Sequence, residues 1–215
     1  MKKYTDEELL CNYEKFMSML SDNFEGTRLY KLEKMYDEEA LGGRLILAPA
    51  SGKVFRHNAY PGGYIDHVFN VVKAVQAAKI LYLKMGGIVD FTDEEMMFAA
   101  IHHDLGKLGD ENFEYYVPEG SAWHWENQGS RFKLNPEIQF MKVPDRALYI
   151  LNHFEIPVTQ SEWLGIKLSD GTYEKANHAY LIAYSKEQSL KTRLPYLIHW
   201  ADHMAVVTES CYNDE

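Results

Sequence analysis

The sequence predicts an all-α domain with one small β-hairpin, on three observations. Apolar residues recur at helical spacing near both ends and through residues 63 to 105, capping-box pairs open two of those stretches, and short alternating runs flank an Asp-Gly turn at 170–171. These patterns make about seven to nine helices. At 215 residues and 46% hydrophobic, the chain can bury one sizeable core. One domain is therefore expected over 1–215, with N-terminal helices over 1–47 and a core over 48–207.

Each element has its own signal. In "TDEELLCNYEKFMSML", Thr5 and Glu8 have capping-box spacing, and Leu9, Tyr13, Phe16, Met17 and Leu20 fall on one helical face. "TRLYKLEKMYDEEAL" predicts a second helix running to the Gly42-Gly43 stop, with Leu29, Leu32, Met35 and Tyr36 inward. Residues 44 to 63, rich in Gly, Pro, Ser and Ala, read as irregular. A long helix lies between the glycine pairs of "GGYIDHVFNVVKAVQAAKILYLKMGG", with Val68, Val71, Val72 and Val75 as its apolar stripe. Thr92 and Glu95 form a second capping box, opening a helix that ends near Gly106. Residues 107 to 143 are broken and aromatic-rich, with "FEYYVP" suggesting a short strand. Pro144 starts a helix in "VPDRALYILNHFEI", and "WLGIKLSDGTYEKA" alternates around Asp170-Gly171 as a hairpin would. "SLKTRLPYLIHWADHMAVVTES" closes the domain as a core helix carrying Leu194, Leu197, Ile198, Ala201 and Ala205.

Composition narrows the partners. The formal charge of −10 guarantees no strongly basic face, so binding to long nucleic acid would rely on a local patch and is disfavoured. Cys11 and Cys211 stand at opposite ends and form no metal-type pair, and "MKKYTDEELL" lacks the apolar core of a signal peptide, so a reduced, cytoplasmic protein is expected. No apolar run approaches the ~20 residues that span a bilayer. A Walker-type glycine loop and a GxSxG elbow are both lacking.

The chemistry concentrates in "AAIHHDLGKLGD", residues 99 to 110. His103 and Asp104 are adjacent at a helix end, where an imidazole and a carboxylate can reach one point, and such a pair suits Mn, Fe, Zn or Ni. His67 and Asp202 lie on or beside apolar helix faces elsewhere in the chain. Burying an ionised carboxylate there costs several kcal/mol unless a cation or hydrogen bonds compensate. The plain alternative is a helix end where Asp104 caps a neighbour and His103 balances the dipole. His102, about 100° round the helix, reads as a packing residue or a support for its neighbours.

The order His, His-Asp, distant Asp, each on a helix, resembles the HD superfamily of metal-dependent phosphohydrolases. The resemblance covers roughly residues 48 to 207 and is carried by "APASGKVFRHNAYPGGYIDHVFNVV", "AAIHHDLGKLGD" and "LIHWADHMA". The first segment is similar to the HD domains of a bacterial 3′-to-5′ exoribonuclease group, which carry a comparable run before the first ligand. The resemblance implies that His67, His103, Asp104 and Asp202 ligate a divalent metal, with Mn, Fe, Zn, Ni, Co or Mg as candidates, and that Asp104 and Lys107 are the catalytic residues, Lys107 near the phosphate. It also implies a second metal or a substrate contact at His124 and His153, as in dinuclear members. Arg56 and His57 are phosphate-binding candidates, Trp123 and Trp125 either stack on a base or pack, and His199 either orients Asp202 or packs. The implied reaction is attack of metal-activated water on a small phosphate ester, with a nucleotide as the expected partner. Nothing before residue 48 looks like the exoribonuclease group's nucleic-acid-binding barrel. Two other readings stay open: a nuclease or phosphodiesterase on short or cyclic oligonucleotides, and a non-catalytic binding protein.

Overall fold

Thr5 opens the first helix as its spacing predicts. Its side chain accepts from the Glu8 N–H while Glu8 caps the Thr5 N–H, and helix α1 (Asp6–Asn23) buries Leu9, Phe16 and Leu20. The structure, a computed structural model, describes residues 2–182 and 185–211, without the side chains of 38, 39 and 211. Among the described residues there are ten α-helices, somewhat above the expected range, and one two-stranded antiparallel sheet.

Helix α2 (Gly26–Met35) stops short of the expected Gly42-Gly43 boundary. Past Tyr36 the chain makes a tight π-helical turn (Glu38–Gly42), in which the Gly42 N–H donates to the Asp37 carbonyl at 2.8 Å. A β-carbon at Gly42 would sit 2.5 Å from the Tyr36 carbonyl oxygen, so only glycine permits this doubling back. Helix α3 (Gly43–Leu47) follows and buries Leu45, which corrects the irregular reading for residues 44 to 47.

Helix α4 (Gly63–Lys84) starts at Gly62, whose φ of +83° an L side chain rarely adopts. The loop before it presses close: a β-carbon on Gly63 would meet the Asn58 carbonyl oxygen at 2.1 Å. Asp66, in the first turn, gathers the N-terminal arm, accepting from Tyr4 Oη at 2.8 Å, Tyr60 Oη at 2.8 Å and Lys2 Nζ at 2.9 Å. Helix α5 (Asp93–His102) has the predicted Thr92–Glu95 capping box and runs into a 3-10 turn, Leu105–Leu108.

The small hairpin lies elsewhere than expected. Strand β1 (Tyr116–Pro118) falls within "FEYYVP" and pairs with β2 (Phe132–Leu134), with helix α6 (Ala122–Gln128) in the connection. At 170–171 there is no hairpin. Helix α7 (Val143–His153) is followed by α8 (Gln160–Lys167), opened by a Thr159–Glu162 capping box, and the chain then turns through short 3-10 segments into α9 (His178–Leu181). Gly171 has φ +55°, and its missing side chain makes room for the His199 ring, whose nearest atoms lie 2.3 Å from where a β-carbon would sit.

Helix α10 (Leu194–Cys211) packs along α4 and across α8, while α5 lies between α4 and α8, and α7 covers the 3-10 turn. Val68 and Val71 of α4, Phe98 and Ile101 of α5, and Leu197 and Ile198 of α10 are fully buried at these contacts. Each such side chain contributes roughly 1.5–3 kcal/mol relative to exposure. This packing sets three helices around one point. Cys11 is exposed and free, and the Cys211 side chain lies outside the described residues. No described helix is long and apolar enough to cross a membrane.

Candidate metal centre

His67 lies in the second turn of α4, His103 and Asp104 follow α5, and Asp202 lies midway along α10. The helix packing brings all four together. His67 Nε2 is 3.5 Å from Asp104 Oδ2 and 3.2 Å from Asp202 Oδ1. His103 Nε2 is 3.5 Å and 3.6 Å from the same two oxygens. Nitrogen and oxygen ligands bonded to one ion at about 2.1 Å stand roughly 3.0–3.4 Å apart, so these spacings fit donors surrounding a single cation. Both Nε2 atoms are buried without a hydrogen bond. His67, His103 and Asp104 form a buried group that could hold a metal ion; Asp202 lies beside both imidazoles but outside that group.

The opposite ring nitrogens are occupied, which aims these Nε2 atoms. His67 Nδ1 contacts Glu209 Oε2 at 3.0 Å, and His103 Nδ1 contacts the Ala100 carbonyl oxygen at 2.8 Å. With Nδ1–H donating in each case, the Nε2 lone pair of the neutral ring points into the cluster. Asn70 Nδ2 donates to Glu209 Oε1 at 2.8 Å and fixes that carboxylate in turn.

Burial alone would push His67 and His103 down, but carboxylates outweigh it: Asp104, Asp202 and Glu209 raise His67 well above its ordinary value, and Asp104 and Asp202 raise His103. Burial would conversely raise Asp104 and Asp202. Lys107 and the two imidazoles hold Asp104 well below the usual carboxylate range, and His103 and His67 do the same for Asp202. Lys107 Nζ is 2.5 Å from Asp104 Oδ2, and this carboxylate lifts the ammonium above its ordinary value despite burial. The cluster therefore holds its carboxylates ionised and, without a metal, favours the protonated form of both imidazoles.

The other sequence candidates separate cleanly. His57 stands against the cluster, its ring centroid 4.8 Å from that of His67; burial, together with Lys107 and His67, pushes it down to about 3, and its Nε2 is buried without a hydrogen bond. His57, His67 and Glu209 form the second group among the described residues that could hold a metal. Arg56 is exposed on the preceding loop, within electrostatic reach of Tyr116 as Lys107 is. His124 and His153 belong to neither group. His124, on α6, faces Glu119 at 3.3 Å, and His153 is exposed at the end of α7 beside Tyr149 and Phe154. Trp125 donates to the Glu119 carbonyl at 2.7 Å under the Arg131 guanidinium, and Trp123 is exposed beside His124. His102 is a packing residue enclosed by Phe24, Tyr36 and Phe98, and His199 holds the Ser169 carbonyl at 2.8 Å, docking the 169–171 turn onto α10.

Two residues around the centre escaped the sequence reading. Glu209 lies seven positions after Asp202, two turns along the same helix face, a spacing visible in the sequence once α10 is drawn. Asp170, an exposed residue that the sequence reads as part of a turn, is within electrostatic reach: partial desolvation and the Asp104 and Asp202 carboxylates raise its carboxyl. Because Glu209 orients His67, Glu209→Ala is expected to weaken divalent-metal binding by ~10–100-fold, measured by titration calorimetry. Unchanged affinity would assign Glu209 to packing alone.

Comparison with protein-family models, with curated proteins and with solved structures found no match to this chain.

Proposed function

We propose that this chain is a metal-dependent phosphohydrolase of the HD type acting on a nucleotide or another small phosphate ester. The observation that carries the reading is the pair of buried, unbonded Nε2 atoms facing two ionised carboxylates at 3.2–3.6 Å. Such a donor set fits a divalent ion, with Mn, Fe, Zn, Ni, Co and Mg as the candidates. The resemblance of the three quoted segments to the HD superfamily supplies the reaction class. A bound divalent cation there supplies Lewis acidity and lowers the pKa of water toward neutrality.

The chain's own residues do the rest. His67, His103, Asp104 and Asp202 hold the ion, and Glu209 keeps the His67 ring turned toward it. Lys107 keeps an ammonium beside Asp104 and offsets the negative charge that develops on phosphoryl oxygens. Lys107 at the cluster, with Arg56 and Lys53 on the loop before α4, suits a few phosphates rather than a long polyanion, and His57 adds a neutral ring beside them.

The test is a screen of purified protein with Mn, Mg, Co and Ni against nucleotides, simple phosphate esters and single strands. Release of phosphate from small esters is the expected result. Processive shortening of a long strand, strongly suppressed by salt, would favour the nuclease reading instead. Lys107→Ala should lower turnover by ~10²-fold, by analogy with loss of one oxyanion donor, with metal content unchanged by elemental analysis. Full turnover in that variant would remove Lys107 from the chemistry.

A further inference from the structure

Beside the metal centre lies a cavity of about 230 Å³ that reaches Lys107 at one end. Tyr115, Tyr116 and Phe132 wall it on the hairpin side, and Leu47, Pro49 and Pro61 face them from the segments around α3 and before α4. The walls are fixed from two directions. Arg44 binds the Asp110 carbonyl and, at 3.2 Å, that of Phe113, setting the approach to β1. The Gly52 carbonyl accepts from Arg131 and Phe132 N–H at 2.9 and 3.1 Å, and a β-carbon on Gly52 would meet the Phe132 carbonyl oxygen at 2.7 Å, so β2 is docked tightly on the 51–54 loop.

The shape selects the occupant. Whole drug-sized ligands fill roughly 300–1,000 Å³, so this space suits a single ring system with the rest of the molecule outside. Three aromatic side chains and three proline rings offer flat or edge-on apolar contact, which a planar aromatic group matches better than a sugar or glycerol. Lys107 joins the two sites, since it borders the cavity and also touches Asp104 at the metal centre. We propose that this cavity receives the planar aromatic group, nucleobase or simple aryl, of a phosphate ester whose phosphate meets Lys107. The assignment rests on the reading of the cluster as a phosphohydrolase and narrows its substrate to aromatic esters.

The test uses binding, so that it stands apart from turnover. Phenylphosphonate, a nucleoside 5′-phosphonate and methylphosphonate are titrated calorimetrically into Mn-loaded protein, none of them carrying a hydrolysable phosphate ester. The aromatic phosphonates are expected to bind about tenfold more tightly than methylphosphonate. Whichever of the two binds tighter tells nucleobase from simple aryl. Leu47→Trp, filling the cavity from the exposed side of α3, should erase that preference, and Phe132→Ala should reduce it; a preference unaltered in both would place the ring elsewhere. Equal affinity of all three compounds in the unaltered protein overturns the cavity assignment even if esters are hydrolysed. Absence of hydrolysis with every metal would instead overturn the phosphohydrolase reading, leaving the phosphonate affinities to decide the cavity.

Discussion

Asp104→Asn is expected to empty the centre of metal and to abolish turnover together. Asp104 Oδ2 faces both imidazole Nε2 atoms at 3.5 Å and meets Lys107 at 2.5 Å, so one carboxylate would serve both the proposed ion and the ammonium. Asparagine keeps its shape but removes the charge that a cation needs, and the loss of affinity should exceed the ~100-fold upper range for a residue that merely supports a ligand. Elemental analysis of the purified variant is the check. Full metal occupancy would show that Asp104 is no ligand, and metal-free but active protein would show that the ion is not part of the chemistry.

The second large effect is a metal- and pH-dependent gain in stability. The folded-state values of His67 and His103 are raised, so the stability they contribute as imidazolium ions is full below the ordinary histidine value near 6.5 and is lost as pH rises through the raised values. Above that window, in metal-free protein, the Asp104 and Asp202 carboxylates face neutral rings. A divalent ion binds those same neutral rings, so it competes with protons and gains affinity as pH rises. At a hundredfold excess over its dissociation constant the ion stabilises the fold by about 2.7 kcal/mol, roughly 5–10 °C in Tm for a chain of this size. Differential scanning fluorimetry with Mn at pH 6 and pH 8 should show the larger shift at pH 8. A shift that is absent, or larger at pH 6, would contradict the proposed centre.

The helical body was legible because its signals are local. Capping boxes at Thr5 and Thr92, the valine stripe of α4 and the apolar spacing of α10 each declare an element within a few turns. The four clustered residues were legible for another reason: a histidine or carboxylate on an apolar helix face is costly to bury unless something opposes its charge. What escaped depends on distance along the chain. The partners β1 and β2 are separated by a helix, so no short turn joins them, and the Asp-Gly pair at 170–171 imitated the hairpin turn that this connection lacks. A Thr159-Glu162 capping box was present in the sequence and marks α8; the alternation of "WLGIKL" obscured it. The break after α2 arises from the fit of Gly42 against Tyr36, a contact that no periodicity contains. His124 and His153 were placed by the resemblance to dinuclear HD proteins, and neither joins a group that could hold a metal.

Asp66 gives the N-terminal arm a stake in the neighbouring candidate metal centre. Lys2, Tyr4 and Tyr60 all converge on this one carboxylate, and the next residue in the chain is His67. Docking of the arm and occupancy of the centre are thus two equilibria sharing the first turns of α4. Linkage makes any coupling between them mutual: whatever factor the ion adds to the arm's docking, the docked arm adds to the ion's affinity. Amide exchange over the first five residues would then serve as a remote gauge of metal loading, read at a place that touches no ligand of the ion.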